Sequence, residues 1–218
     1  MNKLMLVATL MLITSVSIAQ NLSIGPTAGF GHSWNNAETN AADKLFHPSY
    51  NIGGKLVYSF DSRWGVSADV KFSGEGATIG TDADNKVVSR LNYLRVPLQG
   101  IYFFGKFGDK IRPKISLGPS FGFLVGGKTK TFQNGEKSVE IKSSDIYTGV
   151  DFGATVAGGL NVRIAPYTWL NADLSYYLGL SNVAETGDIK NRNIGINIGV
   201  TFPLATLRPE KITRENIK

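Results

Sequence analysis

Residues 192–202 read Arg-Asn-Ile-Gly-Ile-Asn-Ile-Gly-Val-Thr-Phe, an alternation without a lapse. In an extended chain Ile194, Ile196, Ile198, Val200 and Phe202 lie on one face, and Gly195, Asn197, Gly199 and Thr201 on the other. One face is wholly apolar and the other is small or polar. A soluble sandwich would turn the apolar face to a core, whereas a membrane barrel would turn it to hydrocarbon.

The same period recurs over residues 22–31, 50–60, 64–73, 88–104, 112–125, 146–164 and 168–180. With 192–202 this predicts eight strands. The pattern is cleanest over 64–73, where Trp64, Val66, Ala68, Val70 and Phe72 oppose Gly65, Ser67, Asp69, Lys71 and Ser73. Pro97 interrupts one strand, and because it has no N–H to give to a ladder it implies a bulge or a local break in pairing. The connections alternate in length. Polar segments 33–49, 74–86, 126–145 and 181–191 are long, while 61–63, 105–110 and 165–167 are tight turns.

That rhythm is the rhythm of an up-and-down barrel with extended extracellular loops and short periplasmic turns, both chain ends lying on the turn side. The charges agree with it. Lys55, Asp69, Lys71, Arg95, Lys114, Asp151, Arg163 and Asp173 all fall on the Gly/Ser/Asn face of their strands. An outward Arg or Lys at mid-bilayer costs about 2–4 kcal/mol, so lipid exposure demands this segregation. The expected fold is an all-β, eight-stranded antiparallel transmembrane barrel. Its interior is just wide enough to be filled by side chains, which predicts a lumenal network of ion pairs among those eight residues instead of an open pore. Aromatics near strand ends, Tyr58, Phe60, Trp64, Tyr102, Phe104, Tyr167, Trp169 and Phe202, gather toward the short turns, the place of an interfacial girdle.

The N-terminus predicts export. Met1-Asn2-Lys3 is a basic start, residues 4–13 are mostly apolar, and Ser17-Ile18-Ala19 fits the small-x-small cleavage pattern. The apolar run is about ten residues, too short for the ~20 that a membrane-spanning helix requires. Residues 1–20 are read as a signal peptide, 21–203 as the barrel and 204–218 as a polar periplasmic tail. Without Lys3, 22 basic residues face 17 acidic ones, and there is no cysteine. Disulfide scaffolds are thereby excluded, and the dispersed charge carries no nucleic-acid footprint.

Residues 91–98 (Leu-Asn-Tyr-Leu-Arg-Val-Pro-Leu), 115–124 (Ile-Ser-Leu-Gly-Pro-Ser-Phe-Gly-Phe-Leu), 174–180 (Leu-Ser-Tyr-Tyr-Leu-Gly-Leu) and 191–202 resemble the outer-membrane β-barrel family of Bacteroidota-type bacteria, the porin-family or PorT-like proteins. The likeness covers nearly the whole mature chain. It implies residence in the bacterial outer membrane, outer-membrane lipid and the barrel-insertion machinery as partners, and Phe202 as the terminal aromatic that this machinery reads. A monomer is expected.

Sharper chemistry finds little support. His32 beside Ser33, with His47 in the first loop, could be parts of a hydrolytic site, but neighbours on a strand point to opposite faces. Gly53-Gly54, Gly126-Gly127 and Gly158-Gly159 lack the Gly-Lys-Ser/Thr of a phosphate loop. Asp82 and Asp84 lack calcium-loop spacing. No catalytic set, metal or cofactor is assigned. The expected role is structural or surface-interacting, through four loops, with at most narrow passage of small solutes. A PorT-like accessory to protein secretion and a secreted soluble lipid-binding barrel are the alternatives.

Overall fold

The computed structural model describes residues 22–37, 43–60, 63–106 and 109–204. The signal-peptide segment and the tail beyond Leu204 lie outside the described residues. Ten strands are present among them: β1 (Leu22–Asn35), β2 (Asp43–Leu45), β3 (Pro48–Ser59), β4 (Trp64–Gly80), β5 (Lys86–Phe103), β6 (Ile111–Gln133), β7 (Glu136–Lys142), β8 (Val150–Ala165), β9 (Thr168–Gly179) and β10 (Asn191–Pro203).

Eight of these close an antiparallel barrel. β1 pairs with β3 on one edge (Ala28 opposite Ile52) and with β10 on the other (Ala28 opposite Ile198), so no wall strand is left with a free edge. The remaining pairs run β3–β4, β4–β5, β5–β6, β6–β8, β8–β9 and β9–β10. β2 and β7 are short additions to β4 and β6 at the loop end. The ladder from β5 to β4 holds at Arg95 and Leu98 and lapses at Val96 and Pro97, where proline withholds a donor.

The period of two decides which side chains meet lipid. Leu117 is 62% exposed and Ile196 is 59% exposed, in a convex surface shared with Ile52, Val70, Leu160 and Leu174. Asp69, Arg95, Lys114, Asp151 and Asp173 are buried on the concave side. A soluble carrier needs the reverse arrangement, which rules that alternative out.

Two of the expected loops are strands. β4 continues through residues 74–80, and the segment 126–145 holds the end of β6 and all of β7. Beyond the hydrocarbon a strand needs no apolar outer face, so its polar residues look like loop. β6 is 23 residues long, whereas about 9–11 suffice to cross a bilayer. The turn joining it to β7 was legible: Asn134 and Gly135 both have positive φ, 51° and 80°, as the tightest hairpin turns require. In the other direction, residues 146–149 leave the wall, and β8 starts only at Val150.

The interior is layered. At the turn end Val57, Ile101 and Phe103 form a small apolar cluster. Polar and charged residues fill the middle. At the loop end Leu91, Tyr93, Tyr147 and Val183 form a second apolar cluster, flanked by Leu124, Ile146 and Ile189.

Candidate functional site: the filled lumen

Arg95 on β5 is the centre of the upper ion cluster. Its Nε and Nη2 donate to the two carboxylate oxygens of Glu75 on β4, each at 2.7 Å, and Nη2 also donates to Asp151 on β8 at 2.9 Å. Tyr177 and Tyr93 hold the guanidinium between their rings, with centroids 4.1 and 5.0 Å away. Asp151 in turn accepts the Tyr177 hydroxyl at 2.7 Å and the Asn191 amide at 2.9 Å, so both oxygens are engaged. Ser73 Oγ donates to Glu75 at 2.7 Å.

The lower cluster is made by lysines. Lys114 on β6 reaches the two oxygens of Asp173 at 3.0 and 3.1 Å and Asn171 at 3.2 Å. Lys55 on β3 lies 3.4 Å from Asp69 and 3.7 Å from Asp173, and Lys71 lies 3.7 Å from Asp69. Together the two clusters hold four cations against four carboxylates among the described residues. Charge removed from water costs several kcal/mol per ion unless it is partnered, so a neutral lumen is what burial requires.

Seven of the eight residues expected in the lumen meet there. Arg163 does not: it is exposed at the turn end and joins no ion pair among the described residues, although its strand is still paired there with Trp169 on β9. Glu75, the partner that balances the charge, sits in the segment expected to be a loop. Its signal was the continued alternation of Lys71, Ser73 and Glu75. Trp169 also departs from expectation, because it lies on the inner face with Asn171 and Asp173 and not in the outer girdle. Around the outside, Tyr58–Phe60, Trp64–Tyr102 and Tyr102–Phe104 pack edge-on at 5.0–5.1 Å. A second aromatic group at the loop end, His32 stacked against Trp34 and Phe46, was not anticipated. Phe202 is half exposed on the outer face, opposite Ile24.

The space left between the ion clusters is about 50 Å³, lined by residues such as Asn51, Asp69, Lys71 and Asn197. That is room for one or two waters and not for a solute. Above it the chain folds inward as a lid. Thr148 N–H donates to the Val183 carbonyl and Val183 N–H to that of Ile189, each at 2.8 Å, while Tyr147 bridges to Ala184. Asn182 holds the second half of the lid: its amide donates to the Ala184 and Gly187 carbonyls, and its oxygen accepts the N–H of Ala184 and Ile189. Ser143 Oγ ties the lid to the wall at the Arg90 carbonyl, 2.8 Å away.

Of the residues weighed for catalysis or metal binding, His32, His47 and Asp82 are engaged in structural contacts. Ser33 is buried on the inner side, whereas His32 is stacked outward and its Nδ1 accepts the His47 N–H at 3.1 Å. The Asp82 carboxylate accepts the N–H groups of Asp84 and Asn85 at the β4–β5 turn, and hydrogen bonds from the Asn85 side chain and backbone hold it below the usual carboxylate range.

The profile of the family described as "Outer membrane protein beta-barrel domain" matches residues 18–185, well over half of the sequence. The chain belongs to that family, and its place is the bacterial outer membrane. A comparison with curated protein sequences finds no match. Among solved structures, the chain is similar to Neisserial surface protein A at 11% identity, with a TM-score of 0.47 and coverage of 84% of this chain and 97% of that one. It is similar to outer membrane protein W of E. coli at 13% identity, TM-score 0.48, coverage 84% and 98%. The N-terminal barrel domain of Pseudomonas aeruginosa OprF gives 17%, 0.41, 84% and 98%.

Proposed function

We propose that this member of the outer-membrane barrel family is a monomeric, closed surface platform: the barrel anchors, and the parts beyond the membrane make the contacts. The observation that carries this reading is the pairing of a filled, lidded lumen with strands β4 to β7 that run on past the bilayer. Passage of solutes is disfavoured twice, by the ion clusters and by the apolar lid. Planar-bilayer recording from the purified protein tests the first half, and steps above the leak of the empty bilayer would overturn it. Cross-linking on intact cells tests the second half. A partner captured through the β6–β7 hairpin supports the platform, and labelling confined to lipid counts against it.

The Tyr93-x-x-x-Pro97-Leu98 element and the terminal strand favour a second, finer reading, a PorT-like accessory to protein secretion. Loss of secreted protein on deletion, restored by the wild-type chain, would support it. In either reading Phe202 is the aromatic engaged during insertion, so Phe202→Ala should lower the amount of folded barrel in the membrane.

A further inference from the structure

At the loop end one strand edge is left uncovered. β6 pairs with β8 as far as Phe123, opposite Val150, and with β7 from Lys128, opposite Lys142, so β7 stands above β8 in the ring. The next wall strand, β9, stops at Gly179, and among the described residues no strand pairs with the far side of β7. All seven residues of β7 are exposed and none is proline. Alternate N–H and C=O groups of such a strand point away from its one partner, which makes the free side a template for a further strand.

Pairing also fixes what each face of this sheet offers, because residues directly opposite share a face. Across β5, β6 and β7 one outer row is Arg90, Lys128 and Lys142, the next Val88, Lys130 and Glu140, and the third Lys86, Phe132 and Lys137. Six of these nine residues are cations and one is a carboxylate. Lys128, Lys130 and Lys137 share Glu140, Arg90 donates to the Pro48 carbonyl, and Lys86 lies over the Phe132 ring. The inner face differs: Val139 and Ile141, opposite Thr131 and Thr129, are 47% and 42% exposed. The other acids nearby lie off the outer face: Glu136 opposite Gln133, Asp82 and Asp84 in the β4–β5 turn, and Asp145 in the 3₁₀ turn that follows β7.

We propose that the free edge of β7 takes an extended segment of an acidic partner protein as an added strand. Its carboxylates face outward beside Lys137 and Lys142, and its alternate, apolar side chains lie beside Val139 and Ile141. Main-chain hydrogen bonds to β7 hold the segment, and the two sets of side chains select it. A second copy of the chain is a poor occupant, because its hairpin brings the same excess of lysine to the contact. The inference rests on the platform reading and names the chemistry of that partner.

The test uses the full chain in an uncharged detergent and fluorescent peptides read by anisotropy. The probe alternates Glu and Val; its controls alternate Lys and Val, carry Pro at the central Val, or are glutamate throughout. Saturable binding of the probe, with added hydrogen-exchange protection in β7 and none in β9, supports the added strand. Lys137→Gln with Lys142→Gln, both at exposed positions, should weaken binding about fivefold or more while the heat-modifiable gel shift of the folded barrel is kept. Lys110→Gln, at the opposite end, should leave it unchanged. The proposal fails if the probe does not saturate, if the Pro peptide or polyglutamate binds as well, if the basic peptide does, or if β7 is protected by raising the protein concentration alone. Failure with the peptides while a partner is still captured through the hairpin on intact cells ends this inference and leaves the platform. Labelling confined to lipid on cells, with peptide binding intact, ends the platform reading instead.

Discussion

Arg95 between Glu75 and Asp151, and Lys128 beside Glu140 on the β6–β7 hairpin, are both short cation–carboxylate contacts. The first is sealed in the lumen, where Asp151 has no accessible surface, and the second stands in water. In the lumen the charges balance, and around Arg95 the carboxylates of Glu75 and Asp151 also accept from Ser73, Tyr177 and Asn191. On the hairpin three lysines, Lys128, Lys130 and Lys137, crowd one Glu140, an excess that water can solvate. Surroundings, and not the pairing itself, set what each contact is worth. Removing one side of a buried pair strands its partner, whereas removing one side of an exposed pair returns it to solvent.

The largest effect should follow from Arg95→Met, which leaves Glu75 and Asp151 buried without their cation and should cost about 3–5 kcal/mol, read as a lower unfolding temperature of the heat-modifiable band. Adding Glu75→Gln and Asp151→Asn should recover much of that loss. A triple variant no better than the single one would mean that packing of Arg95 between the tyrosines, and not charge, holds the lumen. Next, Ile196→Lys puts charge on the lipid face and should cost about 2–4 kcal/mol in a bilayer refolding titration. An effect near zero would contradict the outward assignment of the β10 row. Smaller still, Val183→Ala should cost about 1–3 kcal/mol and act locally, raising hydrogen exchange in residues 181–190 with the wall strands unchanged.

The hairpin sets the lower limit of the series. Glu140→Gln should leave barrel unfolding unmoved and raise exchange only in β7. Hydrogen bonds from Lys128 and Lys137 lower the Glu140 carboxyl from an ordinary 4.5 to about 2. A depressed carboxyl stabilises above its unfolded value and loses that contribution as pH falls, so β7 protection should decline between about pH 4.5 and 2 and hold steady above. A decline that spread to the wall strands over the same range would erase the contrast between the two regions.

Most of the wall could be read from the chain because lipid imposes a strict rule on alternate residues: Ile194, Ile196 and Ile198 must look out if Asn197 looks in. Where lipid ends, so does the rule. In residues 74–80 and 126–142 the apolar row gives way to Gly74, Gly76, Lys128 and Lys130, so their hydropathy resembles that of a loop; the short alternation through Glu75 and the Asn134-Gly135 pair were the marks left. Glu75 was missed for that reason. Arg163 was misplaced for a related one, since parity gives its face but not its height along the barrel axis.

What the sequence determined by itself is therefore sidedness: which residues meet hydrocarbon, how many strands cross, and that the charges turn inward. Tertiary structure decided which inward charges meet. Arg95 finds Asp151 across 56 positions of chain and Lys114 finds Asp173 across 59, and both depend on strand stagger and barrel closure. Closure likewise folded residues 146–149 and 181–190 over the mouth and left Arg163 beside Trp169 at the other. Alternation is a local property of the backbone, whereas height and opposition in a barrel are set only when the first strand meets the last.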